Sequence, residues 1–400
     1  MVLISSLTKD VKFVLAASYV LFAAVSDAAP TSIPLIERSS ASSGNVTHVN
    51  GTLTDADVTL PPLIPKRVIP ATKVPHDYDV ESDYIVKNTE WYNEHGGNYT
   101  LTKRDEIETV GNFTMDLPPN PPPLPAYPKD VLVVKADTNK IKELTKYAGI
   151  AAAAYCRDVV PANNWKCKQC LKQVPDGKLI KTFTSFISDT NGFVLRSDKE
   201  KVIYLVFRGT NSIRSSIADI QFDFTNYPNV KGAKVHRGAL TYSFLNSYNE
   251  VVRSFFPDIQ DQITAFPSYK VIVTGHSLGG AQALLAGMDL YQRDSRLSAK
   301  NLAIYTVGMP RTGNAAFAYY VDSTGIPLSR SVNERDIVPH VPPQAFGYLH
   351  PGVEAWTRSS GNVQICTENI ESDLCSNTIV PFTSITDHLS YYDINEGLCL

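Results

Sequence analysis

The sequence predicts an α/β fold in which a central, mostly parallel sheet is flanked by helices and preceded by a largely irregular segment. Two observations carry this. From about residue 131 near-continuous apolar strands alternate with helical patterns, as in a sheet covered on both faces. Within "SYKVIVTGHSLGGAQALLAG" (residues 268–287) the strand Val271-Ile272-Val273 passes into a helix with no connecting loop, through Gly275-His276-Ser277-Leu278-Gly279-Gly280.

Taken in order, the chain begins with Lys9 and Lys12, an apolar run over 13–25, then the small residues Ser26, Ala28 and Ala29. This is the arrangement of a secretory signal, placed at 1–28, and the run is too short to span a bilayer. Residues 29–130 are rich in Thr, Asn and Pro and close on "LPPNPPPLP", where proline holds the backbone extended and forbids helix. The four Asn-x-Ser/Thr sequons, at Asn45, Asn50, Asn98 and Asn112, lie here, as do the dibasic pairs Lys66-Arg67 and Lys103-Arg104. Together they suggest a glycosylated pro-segment removed, wholly or partly, on maturation. The remaining 131–400 forms the folded domain. In "KIKELTKYAGIAAAAYC" Ile141, Leu144, Tyr147 and Ala148 share a helical face, and "GFVLRSDKEKVIYLVFRG" reads as two strands around Asp198-Lys199. "YKVIVTG" and "LAIYTVG" add strands on either side of a helix over 281–293.

The net charge of −3 supplies no basic field, which excludes a nucleic-acid partner. Six cysteines behind an export signal favour disulfides; of the fifteen possible pairings spacing favours Cys167 with Cys170 and Cys366 with Cys375 as local loops, which leaves Cys156 with Cys399. A lone Cys-x-x-Cys has no second half with which to complete a zinc site, and no metal or organic cofactor is expected.

Gly-x-Ser-x-Gly between strand and helix is the nucleophile elbow of α/β-hydrolases. Side chains at Gly275 and Gly279 would collide with their neighbours, and the serine between them is forced into strain. The turn exposes Ser277 Oγ at a helix N-terminus, whose free amides favour an oxyanion. The base and acid follow in the order Ser, Asp/Glu, His. His340, His350 and His388 qualify for the base, with His388 favoured; for the acid Asp336 is favoured over Asp322, Asp373, Asp387 and Asp393.

The segments "FRGTNSIRSSIADI", "VTGHSLGGAQALLAG", "ERDIVPHVPP", "LHPGVEAW" and "DHLSYYDINEGLCL" resemble the secreted fungal triacylglycerol lipases of the Rhizopus and Rhizomucor type, the class 3 lipases, from about residue 141 to 400. The resemblance implies an α/β-hydrolase fold and a secreted, interface-acting enzyme. It assigns Ser277 as nucleophile, Asp336 as acid and His388 as base, an oxyanion hole from the amides of Thr210 and Leu278, and disulfides Cys156–Cys399, Cys167–Cys170 and Cys366–Cys375. It also makes the stretch after Thr210 a helical lid. Ile213, Ile217 and Ile220 share one face there, with Arg214, Ser215 and Asp219 opposite, and Ser216 stands where some members carry tryptophan. Arg214 and Asp219 are candidates to latch the lid. The implied partners are triacylglycerol and a lipid–water interface, with no transmembrane segment and a monomeric chain.

Overall fold

The computed structural model describes residues 57–75, 78–99, 108–185, 187–210, 212–238 and 243–399. The expected signal peptide, Asn45, Asn50 and the Lys103-Arg104 pair lie outside the described residues.

A nine-stranded sheet organises the chain. In chain order its strands are β1 (Val133–Lys135), β2 (Lys178–Thr184), β3 (Asn191–Ser197), β4 (Val202–Phe207), β5 (Lys270–His276), β6 (Leu302–Val307), β7 (Leu328–Asn333), β8 (Val353–Ser359) and β9 (Asn362–Cys366). Across the sheet they run β1-β9-β8-β7-β6-β5-β4-β3-β2. The five central strands, β4 to β8, pair in parallel. The outer strands are antiparallel, which lets hairpins finish both edges.

Alternation along the central strands fills two cores. Ile203, Leu205 and Phe207 with Val271 and Val273 face one side, while Tyr204, Val206 and Ile272 face the other. The first face is covered by the helices Phe244–Ala265 and Leu278–Arg293, the second by Thr138–Ala153. Such two-sided burial explains strands with no polar alternation. Asp137 caps the helix Thr138–Ala153, accepting from Lys140 N–H at 2.7 Å. Disulfides join Cys156 to Cys399, Cys167 to Cys170 and Cys366 to Cys375. No helix among the described residues is long and apolar enough to cross a membrane.

The segment before residue 131 is more ordered than its composition suggests. It holds a helix, Glu81–Glu94, and a short hairpin, Thr109–Val110 with Phe113–Thr114. The stretch "LPPNPPPLP" is extended, as its prolines dictate. The helix owes its existence to docking. Glu81, Asn88 and Tyr92 are buried on one face, Asn88 donating to Thr378 O and Val380 O and Tyr92 packing on Phe382. At its start Asp79 Oδ1 accepts from Ser82 N–H at 3.1 Å, and Gln344 Oε1 accepts from Val80 N–H at 2.9 Å. Glu81 reaches the fully buried Arg311 at 2.6 Å. Arg67, in the first dibasic pair, donates to Tyr291 O and Asp294 O. Asn98 and Asn112 are exposed.

Candidate active site

β5 ends at His276 and a helix begins at Leu278, leaving Ser277 alone at the turn with φ 59° and ψ −131°. Non-glycine residues avoid that region unless their surroundings impose it. Here the imposition is steric. A Cβ at Gly275 would lie 2.2 Å from Gly279 O, and one at Gly279 would lie 2.5 Å from Phe207 O. Helix and sheet therefore touch backbone to backbone. Ser277 N–H donates to Val307 O at 2.8 Å, tying the elbow to β6.

His388 sits in a 3₁₀ turn, Thr386–Leu389, and Asp336 just beyond the end of β7. The structure brings them together across 52 residues, with His388 Nδ1 2.7 Å from Asp336 Oδ2. Asp336 is fully buried; it also accepts from Tyr391 O–H and, through Oδ1, from Val338 N–H at 2.8 Å. A carboxylate accepts only, so Nδ1 carries the proton and Nε2 the lone pair. Among the described residues Nε2 has no hydrogen-bond partner. The His388 ring rests on Gly308, where a Cβ would lie 2.7 Å from its Cε1, and Gly308 follows the carbonyl that holds Ser277. Serine and imidazole thus share one corner of the molecule, with one of the two expected hydrogen bonds formed. Such contacts are often loose without substrate.

His276 adds a support that the sequence did not single out. Its Nε2–H donates to His388 O at 3.0 Å, because a carbonyl can only accept, so its Nδ1 takes the Tyr155 hydroxyl proton at 2.7 Å. Burial holds its pKa well below the ordinary histidine value, keeping the ring neutral. Position 276 lies inside the elbow motif, yet Tyr155 and Tyr391 carry no local signal. Four of the other candidates are engaged elsewhere. His350 Nε2 donates to Pro339 O, His340 lies 3.4 Å from Glu81, Asp387 accepts from Arg335 N–H and Asp393 from Ser360.

Over Ser277 lies the helix Ile213–Ala218, with Ile213, Ser216 and Ile217 buried and Arg214, Ser215 and Asp219 exposed. With Ile220, Phe244, Pro310 and Val338 its apolar side encloses a cavity of about 30 Å³ against Ser277, Leu278 and Thr210. Ligand sites run to roughly 300–1,000 Å³, so the site is shut. His236 lines this cavity, stacked on Phe244 at 4.3 Å and donating to Gln221 O; burial lowers its pKa to about 4. Outside, the helix is held by the N-terminal segment. Val110, Phe113 and Met115 pack into one cluster with Ile213 and Ile217. Arg214 pairs with Glu108 and, at 2.5 Å, with Asp116.

The sheet, its elbow and the strand order define an α/β-hydrolase, and the comparisons carry this further. Residues 204–346 match the model of the lipase (class 3) family. The chain is 62% identical to a lipase of Rhizopus niveus over 350 residues, covering 85% of this chain and 88% of that one. It superposes on the lipase–propeptide complex of Rhizomucor miehei with TM-score 0.74 at 47% identity, over 86% of this chain and all of the other. A Rhizomucor miehei triacylglyceride lipase gives TM-score 0.64 at 53% identity over 67% of this chain and 100% of its own. The chain belongs to the class 3 lipase family, whose members hydrolyse carboxylic esters.

Proposed function

We propose that the chain is a secreted, monomeric lipase that hydrolyses triacylglycerols at oil–water interfaces, with Ser277 as nucleophile, His388 as base and Asp336 as its orienting acid. The observation that carries this is the Asp336–His388 pair beside an elbow serine, beneath a lid with an apolar underside. In the first step His388 Nε2 takes the Ser277 proton as Oγ attacks the ester carbonyl, and the imidazolium then protonates the departing alcohol. In the second, water attacks the acyl-enzyme with the same nitrogen as base. In this reading the amides of Leu278, the first residue of its helix, and of Thr210 receive the oxyanion; losing one such donor costs about 2.7–4 kcal/mol.

Residues 1–28 act as signal and 29–130 as pro-segment in this reading. The segment's contacts on Ile213, Arg214 and Ile217 support a restraining role, with cleavage freeing the lid. Triglyceride emulsion hydrolysis by the wild type and by Ser277→Ala tests the proposal. The variant is expected to lose activity by at least a thousandfold, and equal rates would sink it.

A further inference from the structure

One hydroxyl is shared by the two halves of the site. Tyr155 stands just past the helix Thr138–Ala153 and next to Cys156, which the bridge to Cys399 ties down. Its ring meets His276 edge-on, 5.8 Å between centroids, with the hydroxyl 2.7 Å from Nδ1. A backbone hydrogen bond from Gly209 reaches the same oxygen. Burial raises the pKa of the phenol above the ordinary tyrosine value, so the hydroxyl keeps its proton. That proton is committed to His276, and a lone pair to the Gly209 N–H.

Each commitment leads to a group that the reaction uses. His276 accepts on Nδ1 and donates from Nε2 to His388 O at 3.0 Å, so the hydroxyl and that carbonyl hold the ring from its two ends. Asp336 orients the His388 ring; Tyr155, through His276, fixes the backbone that carries it. On the other side the chain at Gly209 is wedged against the nucleophile. A Cβ there would overlap the Tyr155 hydroxyl and lie 2.7 Å from His276 O and 2.8 Å from Ser277 Cβ. The next residue is Thr210, whose amide receives the oxyanion in the reading above. Without the hydroxyl, His276 Nδ1 and the Gly209 N–H would both lose their partner in a buried site, and an unmet buried polar group is costly enough to displace ring and loop.

Building on the lipase reading, we propose that Tyr155 is a positioning residue for both catalytic functions: through His276 it fixes the backbone that carries the base, and through Gly209 it fixes the loop that presents the Thr210 amide.

The experiment compares the full chain with Tyr155→Phe on the ethyl and nitrophenyl esters of butyric acid, read as kcat/KM below their solubility limits. The two esters make different demands on His388. Ethoxide must be protonated as it leaves, so the imidazole acts as base and then as acid, whereas nitrophenolate leaves without a proton. A displaced base therefore costs more on the ethyl ester. A partly lost fold, or a changed fraction of open lids, scales both rates alike. The variant is expected to lose about tenfold on the ethyl ester and at most about threefold on the nitrophenyl ester, the part common to both being the share of the oxyanion loop. Equal loss on the two, a larger loss on the nitrophenyl ester, or none on either overturns the proposal. A measurement on the wild type guards against a variant that does not fold. Nitrogen NMR of His276 is expected to show a neutral ring protonated at Nε2, with the Nδ1 line displaced by its hydrogen bond; a ring protonated at Nδ1, or an Nδ1 line at the position of a free imidazole, overturns the proposal. A wild type that cleaves neither ester refutes the lipase reading instead.

Discussion

Neutralising the clasp on the lid is expected to activate the uncut chain, and by a bounded amount. Arg214, Glu108 and Asp116 have side chains 45%, 51% and 59% exposed, so the two ion pairs are surface pairs. Pairs of that kind contribute about 0.2–1 kcal/mol each, or roughly 1 kcal/mol together. If the rate on a soluble ester follows the fraction of open lids, Glu108→Gln with Asp116→Asn raises it about fivefold. Salt near 1 M should reproduce most of that gain, because screening then acts within about 3 Å. The apolar part of the clasp is stronger. Phe113 and Met115 are fully buried and Val110 nearly so, in one cluster with Ile213 and Ile217. Truncating a buried Phe costs about 3–5 kcal/mol, only part of which falls on the lid, since Phe113 also meets His340 edge-on. Phe113→Ala is thus expected to exceed the charge variant. The assay is kcat/KM on a short-chain ester below its aggregation limit, with circular dichroism to confirm the fold. Folded variants at the wild-type rate would refute the claim that this segment restrains the lid.

Asp336→Asn should keep the fold but cut kcat by on the order of 10⁴, since the amide no longer fixes the His388 tautomer; a loss below tenfold would assign the acid elsewhere. Burial keeps His236, His276 and His350 neutral, His236 with its pKa held at about 4, whereas in the unfolded chain each titrates near about 6.5. Below that value the unfolded state takes up protons the native state does not, so stability falls from pH 6.5 towards 4, by up to about 1.4 kcal/mol per pH unit for each histidine, and these residues add no slope above it. Denaturant midpoints across that range should show a slope about one proton smaller in His236→Phe. The Cys156–Cys399 bridge closes a loop with a sequence separation of 243, for which the chain-entropy model gives about 5 kcal/mol. Cys399→Ser with Cys156→Ser should lower the melting temperature markedly, and an unchanged one would show that the loop is constrained by other means.

The legible parts of this molecule are those whose cause is local. The elbow is readable because the Gly-x-Ser-x-Gly pattern sits within five residues between an apolar strand and a helix, and the lid because Ile213, Ile217 and Ile220 repeat at helical spacing. What each of these meets is not local. From the residues alone Asp336 and His388 stood among several aspartates and three histidines, and what joins them is the placing of Asp336 beyond β7 against the returning C-terminus. Arg214 was a candidate latch without a partner, for its partners lie 98 and 106 residues earlier. The helix Glu81–Glu94 was missed for a related reason. Its buried positions include a glutamate and an asparagine, which read as solvent-facing until Arg311 and the carbonyls of Thr378 and Val380 are brought to them. Helices of this length are marginal in water, so tertiary contacts decide whether they form.

The closed state is silent for want of access, since its chemical groups are already set. Asp336 fixes the His388 tautomer, His276 holds the His388 backbone from below, and Nε2 keeps an unengaged lone pair. Ser277 is already strained and only 3% exposed. What is missing is volume, because about 30 Å³ beneath the lid admits little more than a water. Lid variants should therefore change the rate on a given soluble ester without changing the relative rates on short-chain esters that differ only in leaving alcohol, since those ratios report the chemistry at Ser277 and not its accessibility. A clasp variant that altered those ratios along with the rate would mean that opening the lid also rearranges the reacting groups, and that the silence of the closed state is chemical after all.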